Sequence, residues 1–345
     1  MKKIVSIFFS INILLFTFLL IFNPKICVNS AVSSIILCGR VIIPSLFPFT
    51  FCVMFIMKSK LLNSIKILDK PSRVIFGLDS KFLGIFLLSL IGGYPLGAKM
   101  LNQANADKKM RKTMLNYSVN AGPAFIISAI GNGVFSSQKI GVLLFFSHII
   151  PPFFLAILSK GKQKNKISKK ESTSISLVDN FVLSASESAN TLISICSFII
   201  LFSVITGYIN FYSDKLTFLK YLSPFLEVTN AVSKTHNIFL ISFLLGFGGI
   251  CVWFQVFSLC KNFKVDYISF ILNRILHGGL SAGITFLLIK CFKITIPTMS
   301  NSQFFTPSPF YTSDVVGIAL IIMGIVFMIS LSSKNFAGNI LHDIV

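Results

Sequence analysis

The sequence predicts an all-α polytopic membrane protein, built as two inverted repeats with re-entrant hairpins and Gly/Pro-broken helices. Three observations predict it. Of 345 residues, 54% are hydrophobic and only 12% charged, with a mean hydropathy of +0.82, whereas soluble domains carry roughly 25% charged residues. Apolar runs near the ~20 residues that span a bilayer recur along the chain, and glycine or proline interrupts several of them. The two halves of the chain also resemble each other at a nearly constant offset.

Taken in order, Lys2 and Lys3 precede an apolar run over residues 4–22. It is long for a signal-peptide core and reads as an N-terminal transmembrane helix within 1–27, with Val28-Asn29-Ser30 a weak alternative cleavage site. Further apolar segments cover 31–57, 82–100, 114–135, 140–158, 191–209, 238–259, 267–289 and 315–331. Pro44 and Pro48 interrupt the first of these, Gly92-Gly93-Tyr94-Pro95 the second and Gly122-Pro123 the third. Gly246, Gly248 and Gly249 interrupt one later segment and Gly278-Gly279 another. Non-helical backbone at membrane depth has to be buried in protein or line a wet cavity, because lipid cannot satisfy its polar groups.

Phe86-Leu87-Leu88 and Gly92 match Phe243-Leu244-Leu245 and Gly249 at an offset of 157 residues. Leu115-Asn116 and Gly122 match Leu272-Asn273 and Gly279 at the same offset, and Ser30-Ala31 and Cys38 match Ser188-Ala189 and Cys196 at 158. Shared offset and shared glycines point to a duplication, with a first repeat over 28–159 and a second, carrying a C-terminal helix, over 181–345. Between them lies a basic cytoplasmic linker, 160–180, holding Lys160, Lys162, Lys164, Lys166, Lys169 and Lys170. Paired, interrupted segments in two halves are the sequence pointer to a transporter's binding site.

The net charge of +20 comes from 31 Lys+Arg against 11 Asp+Glu. The lysines cluster in short loops between apolar runs, so they read as topology signals and contacts to anionic lipid. No basic helix or nucleic-acid fold signature accompanies them, and nucleic acid is set aside as a partner. With the N-terminus cytoplasmic and residues 82–103 folded as a re-entrant hairpin, the first half spans three times and the second is inverted. That arrangement places 21 basic residues inside and eight outside, as the positive-inside rule requires.

Seven scattered cysteines form no CxxC pair, and the four histidines lack metal-ligand spacing. No nucleophile elbow, P-loop, zincin or dinucleotide motif occurs, so the sequence predicts no enzyme, no catalytic residue, no cofactor and no metal. Arg40 and Arg274 lie inside apolar segments, where a charge is costly and faces a protein interior or wet path; snorkelling to an interface is the competing explanation. Glu227 and Glu187 are scarce acids that suit a proton carrier or an arginine partner, and Lys99 follows the first glycine break. Half-helices beginning at Pro95 or Pro123 would aim free N–H groups at an anion. Asn116, Asn120, Asn273 and His277 are polar groups in apolar surroundings that need partners.

Pro44-Ser45-Leu46-Phe47-Pro48-Phe49, Gly93-Tyr94-Pro95-Leu96-Gly97-Ala98-Lys99 and several further strings together resemble the sporulation integral membrane protein YlbJ (SpoVV) family. Pro44-Ser45-Leu46-Phe47-Pro48-Phe49 is similar to its P-S-L-x-P-F element, and Gly93-Tyr94-Pro95-Leu96-Gly97-Ala98-Lys99 to its G-Y-P-x-G-A-K. Asn120-Ala121-Gly122-Pro123-Ala124-Phe125-Ile126, Leu226-Glu227-Val228-Thr229 and Gly246-Phe247-Gly248-Gly249 with Gln255 resemble further elements of it. Cys251-Val252-Trp253-Phe254 departs from the small and polar residues expected after those glycines. The resemblance implies a nucleoside-recognition, or Gate-domain, membrane fold with two Gate-like repeats. It implies a sporulation transporter moving a small anion, dipicolinic acid foremost, across the outer forespore membrane. The substrate-binding residues are then Arg40, Tyr94, Pro95, Lys99, Asn120, Gly122, Glu227, Gly248, Gly249, Gln255 and Arg274. Partners would be the anionic solute, membrane lipid and either further copies of the chain or other sporulation membrane proteins. Two alternatives stand beside it: a nucleoside or other small-metabolite transporter of the same fold, and a non-transporting membrane sensor or complex partner.

Overall fold

The computed structural model describes residues 2–59, 69–104, 106–160, 176–213, 215–235 and 237–295. Most of the linker and the expected C-terminal helix over 315–331 lie outside them. Among the described residues every regular element is helical. Five stretches are long and apolar enough to cross a membrane: Pro24–Lys58, Gln138–Leu158, Leu177–Tyr212, Ile238–Leu259 and Tyr267–Phe292. The chain is an all-α polytopic membrane protein.

Helix α1, Lys2–Phe22, stops at Asn23 because Pro24 opens α2, Pro24–Leu37, where its missing N–H costs nothing. A π-helical turn, Cys38–Ile42, then joins α2 to α3, Ile43–Lys58. The interruption expected at Pro44 and Pro48 is therefore a shift of register within one long rod. Ile43 N–H donates to Cys38 O, five residues back, just where Pro44 can offer no donor to the regular ladder.

Beyond the short α4, Asp69–Ile75, helices α5, Ser80–Gly92, and α6, Tyr94–Gln103, pack on each other as a hairpin. With 13 and 10 residues at ~1.5 Å per residue, neither reaches the ~30 Å of a bilayer core. After α7, Lys108–Leu115, the chain runs without helix to Gly122, then forms a π-helix over Ala124–Asn132. The single span expected over 114–135 is thus absent. Pro123 disfavours helix in the residue before it, and the π register persists to Phe135 N–H, which donates to Ile130 O.

The remaining helices are α8, Gln138–Leu158; α9, Leu177–Tyr212; α10, Phe218–Leu226; α11, Val228–Lys234; α12, Ile238–Phe247; α13, Gly249–Leu259; and α14, Tyr267–Phe292. Two expectations are corrected here. Helix α9 extends well beyond the apolar segment expected over 191–209, starting at Leu177, where the Ser176 side chain caps it by accepting Asp179 N–H. Helix α14 runs unbroken through Gly278-Gly279, since glycine lowers helix stability by only ~1 kcal/mol without forbidding it.

Two apolar clusters organise the helices. The larger joins residues of α3, α5–α8 and α11–α14; the smaller joins α2, the first π turn, α9, α10 and α13. Helix α9 buries Ile195, Ile199 and Phe202 in the smaller cluster while Val182, Ile193 and Leu201 face outward. Such an apolar outer face on a membrane-length helix suits lipid.

Candidate functional site

Four interruptions of helical backbone meet between the two clusters. The first is Gly93, held at φ +88°, where only glycine is unstrained. The second is Gly122: a Cβ built there would lie 2.8 Å from Ile91 O and 3.3 Å from Gly93 N, so the first two breaks touch backbone to backbone. The third is Gly248-Gly249, both at positive φ. Tyr94 reaches it, donating its hydroxyl to Leu245 O at 2.7 Å, with its ring 3.6 Å from the Cβ position of Gly248. The fourth is Glu227, extended backbone between α10 and α11, whose neighbours Leu226 and Val228 crowd the Cβ position of Gly249 at 3.4 and 3.3 Å.

A cavity opens where they meet. Its floor is Gly93, Tyr94, Pro95, Ala121 and Gly122; Glu227, Val228, Thr229, Val252 and Gln255 form one wall; Ile42, Leu46, Phe125, Ile195 and Ile199 form the apolar remainder. The cavity volume is about 50 Å³, enough for a few waters at ~10–15 Å³ each. Glu227 is 2% exposed, and its Oε1 accepts Thr229 N–H at 2.8 Å. Gln255 is also buried, with its Nε2 3.3 Å from Cys251 Sγ.

Behind the floor lies the segment 116–122, and a cation holds it. Arg274, fully buried on α14, donates through Nη1 to Val119 O and through Nη2 to Asn116 O, and its guanidinium sits 5.6 Å from the Phe270 ring centre. Asn116 Nδ2 donates to Ser269 Oγ at 3.0 Å, and Ala121 N–H donates to His148 Nε2 at 2.9 Å. Asn120 turns inward, donating to Tyr117 O at 2.9 Å. Helix α6 closes on the same segment so tightly that a Cβ on Gly97 would sit 1.6 Å from Ser118 O. The backbone carbonyls of this non-helical stretch thus find an arginine from the other half of the chain, as buried polar groups must.

Of the residues the sequence singles out, Tyr94, Pro95, Gly122, Glu227 and Gln255 line the cavity, and Gly248 and Gly249 stand directly behind the lining. Arg274 and Asn120 lie beneath the floor rather than in it. Lys99 is engaged elsewhere: its Nζ donates to Thr191 Oγ1 at 2.6 Å and to Glu187 O at 3.0 Å, and Glu187 also pairs with Lys58 at 2.6 Å. That group ties α6 and α3 to α9. Arg40 is exposed on the outer face of the first π turn, away from the cavity, where a long side chain can reach an interface. Sequence reasoning missed His148, although a histidine inside an apolar helix before Pro151-Pro152 was a visible signal. The apolar lining, Ile42, Leu46, Phe125, Ile195 and Ile199, carried none, since nothing separates it from core or lipid-facing positions.

No family model matches the chain, and no solved structure matches it. It is similar to the sporulation integral membrane protein YlbJ of Bacillus subtilis (strain 168), being 22% identical over an alignment that covers 84% of each chain. That similarity supports the YlbJ family to which the short motifs pointed, and with it a membrane role in sporulation.

Proposed function

We propose that this relative of a sporulation membrane protein is a transporter that moves a small anion, dipicolinic acid foremost, across the outer forespore membrane. One observation carries the reading: four backbone breaks, drawn from both halves of the chain, converge on one cavity between two helical clusters. Broken helices cost hydrogen bonds, and in transporters they surround the solute site. The cavity is smaller than an aromatic solute, so binding needs the walls to part, as rocking of one cluster against the other would allow.

Two features bear on the charge of the cargo. Arg274 beneath the floor and the N-terminus of α6 at Tyr94-Pro95 both favour an anion. Glu227 in the wall opposes one, so an anion gains most when that charge is offset. Glu227 and Gln255 together favour the second reading, a neutral nucleoside-like solute held by polar contacts.

We read the halves as inverted repeats over 28–159 and 181–345. Cys38 and Cys196, equivalent at the 158-residue offset, both belong to the smaller apolar cluster, where α9 meets the first π turn. Helices α6 and α13, each following a glycine break, also pack together. Equivalent elements meeting in pairs is what a pseudo-twofold axis gives.

In a sporulating strain that lacks the protein, spores should contain little dipicolinate, and re-expression should restore it. Spores of normal dipicolinate content would refute the cargo.

A further inference from the structure

Behind the cavity floor the two described histidines that lie in membrane-length helices meet. The rings of His148 on α8 and His277 on α14 stack, with centres 4.6 Å apart and planes 29° apart, and both residues are fully buried. Their bonds fix both tautomers. His148 Nε2 accepts Ala121 N–H, so a neutral His148 carries its hydrogen on Nδ1. His277 Nε2 lies 2.9 Å from His148 O; a carbonyl can only accept, so Nε2 carries the hydrogen and Nδ1 is bare. Among the described residues, neither Nδ1 has a hydrogen-bond partner.

The two rings are therefore not equivalent towards a proton. Protonating His148 would fill Nε2 and break its bond to the floor at Ala121. Protonating His277 at Nδ1 keeps every existing bond. The lone pair there forms an N–H bond with a proton from hydronium, whose O–H bond breaks to leave water; the imidazole becomes imidazolium, and no hydrogen bond of the pair is lost. We infer that His277 Nδ1 is a proton-binding site coupled to anion occupancy of the cavity, which makes the proton the co-transported ion. This inference rests on the transport reading above.

The coupling follows from the charges around the pair. Helix α12, packed along α14, has no titratable residue, and α8 contributes His148 with Lys139 exposed in its first turn. The segment 116–122 contributes the Tyr117 phenol. On α14 itself Arg274 lies one turn before His277, while Tyr267, Lys290 and the capping Asp266 sit at its ends. Arg274 is thus the charge that opposes a proton on His277. An anion in the cavity, separated from His277 by Ala121 and the His148 ring, offsets that repulsion. Proton and anion then raise each other's affinity by the same factor.

The test is nitrogen NMR of the full chain, labelled with 15N-histidine, in lipid nanodiscs between pH 4 and 8, with His148→Gln and His277→Gln used only to assign signals. Without solute, acidification should protonate His277 at Nδ1 while His148 keeps a bare Nε2; protonation of His148 first overturns the proton site. Adding dipicolinate should raise the His277 midpoint by about one pH unit, a tenfold coupling typical of linked sites. Dipicolinate that binds yet leaves that midpoint unmoved overturns the coupling. Dipicolinate that fails to bind at any pH overturns the anionic cargo and the coupling with it, while the order of protonation still decides the proton site.

Discussion

The segment 108–132 and helix α14 are aligned by the same 157-residue offset, share Leu-Asn at 115–116 and 272–273, and share a glycine at 122 and 279. Yet the first is a short helix, a non-helical stretch and a π-helix, while the second is one helix of 26 residues. The next residue makes the difference. Gly122 is followed by Pro123, which removes a donor and pushes its predecessor out of helix, whereas Gly279 is followed by Leu280. Packing follows suit: Gly122 is wedged against Ile91 O, and a Cβ on Gly279 would meet nothing within 4 Å. The intact arm then serves the broken one, because Arg274 supplies the donors that the carbonyls of Asn116 and Val119 lost when their helix ended. In these two arms the glycine marks where a helix can break, the proline decides whether it does, and the arginine of the intact arm makes the break tolerable inside a membrane.

The sharpest way to break the comparison is to give the second arm the first arm's proline. Leu280→Pro should cost about 3 kcal/mol or more, read as a large drop in thermal unfolding temperature in detergent. Retained stability would mean that Pro123 does not explain the broken arm. Next, Arg274→Met strands the buried carbonyl of Val119 and the half-buried one of Asn116, an unpaired buried acceptor costing about 1–3 kcal/mol. It should lower stability strongly and abolish transport, and Arg274→Lys should recover only part, since one ammonium replaces the two-pronged donor. The smallest effects, and the most telling in sign, come from the glycines. Gly122→Ala should destabilise by about 1–3 kcal/mol through overpacking, while Gly279→Ala should be neutral or stabilise by up to about 1 kcal/mol. Equal losses at both positions would contradict the difference in packing.

Much of this architecture was legible in the sequence. Apolar length gave the membrane class, and Gly93-Tyr94-Pro95, Gly122-Pro123 and Gly248-Gly249 marked three of the four converging breaks because proline and positive-φ glycine leave local signatures. Tyr94, Pro95, Gly122, Glu227 and Gln255, singled out by the short motifs, all line the cavity. What stayed hidden depended on contacts distant in sequence. Arg40 and Arg274 look alike as isolated charges in apolar runs, yet one faces outward and the other is fully buried against carbonyls of the opposite half. Lys99 resembles a solute ligand until Glu187 and Thr191, 88 and 92 residues away, occupy its ammonium. The continuity of α14 through Gly278-Gly279 was misjudged for the opposite reason: a local signal was read without the packing that tolerates it.

The most direct test of the cavity as a solute pathway is flux. Purified protein in liposomes, offered labelled dipicolinate and, in parallel, labelled uridine, should take up dipicolinate saturably, and Gln255→Leu in the cavity wall should reduce that uptake. Uridine uptake alone would transfer the site to neutral solutes. Uptake of neither, by protein that remains folded, would contradict transport and leave the membrane fold to a sensor or an assembly partner.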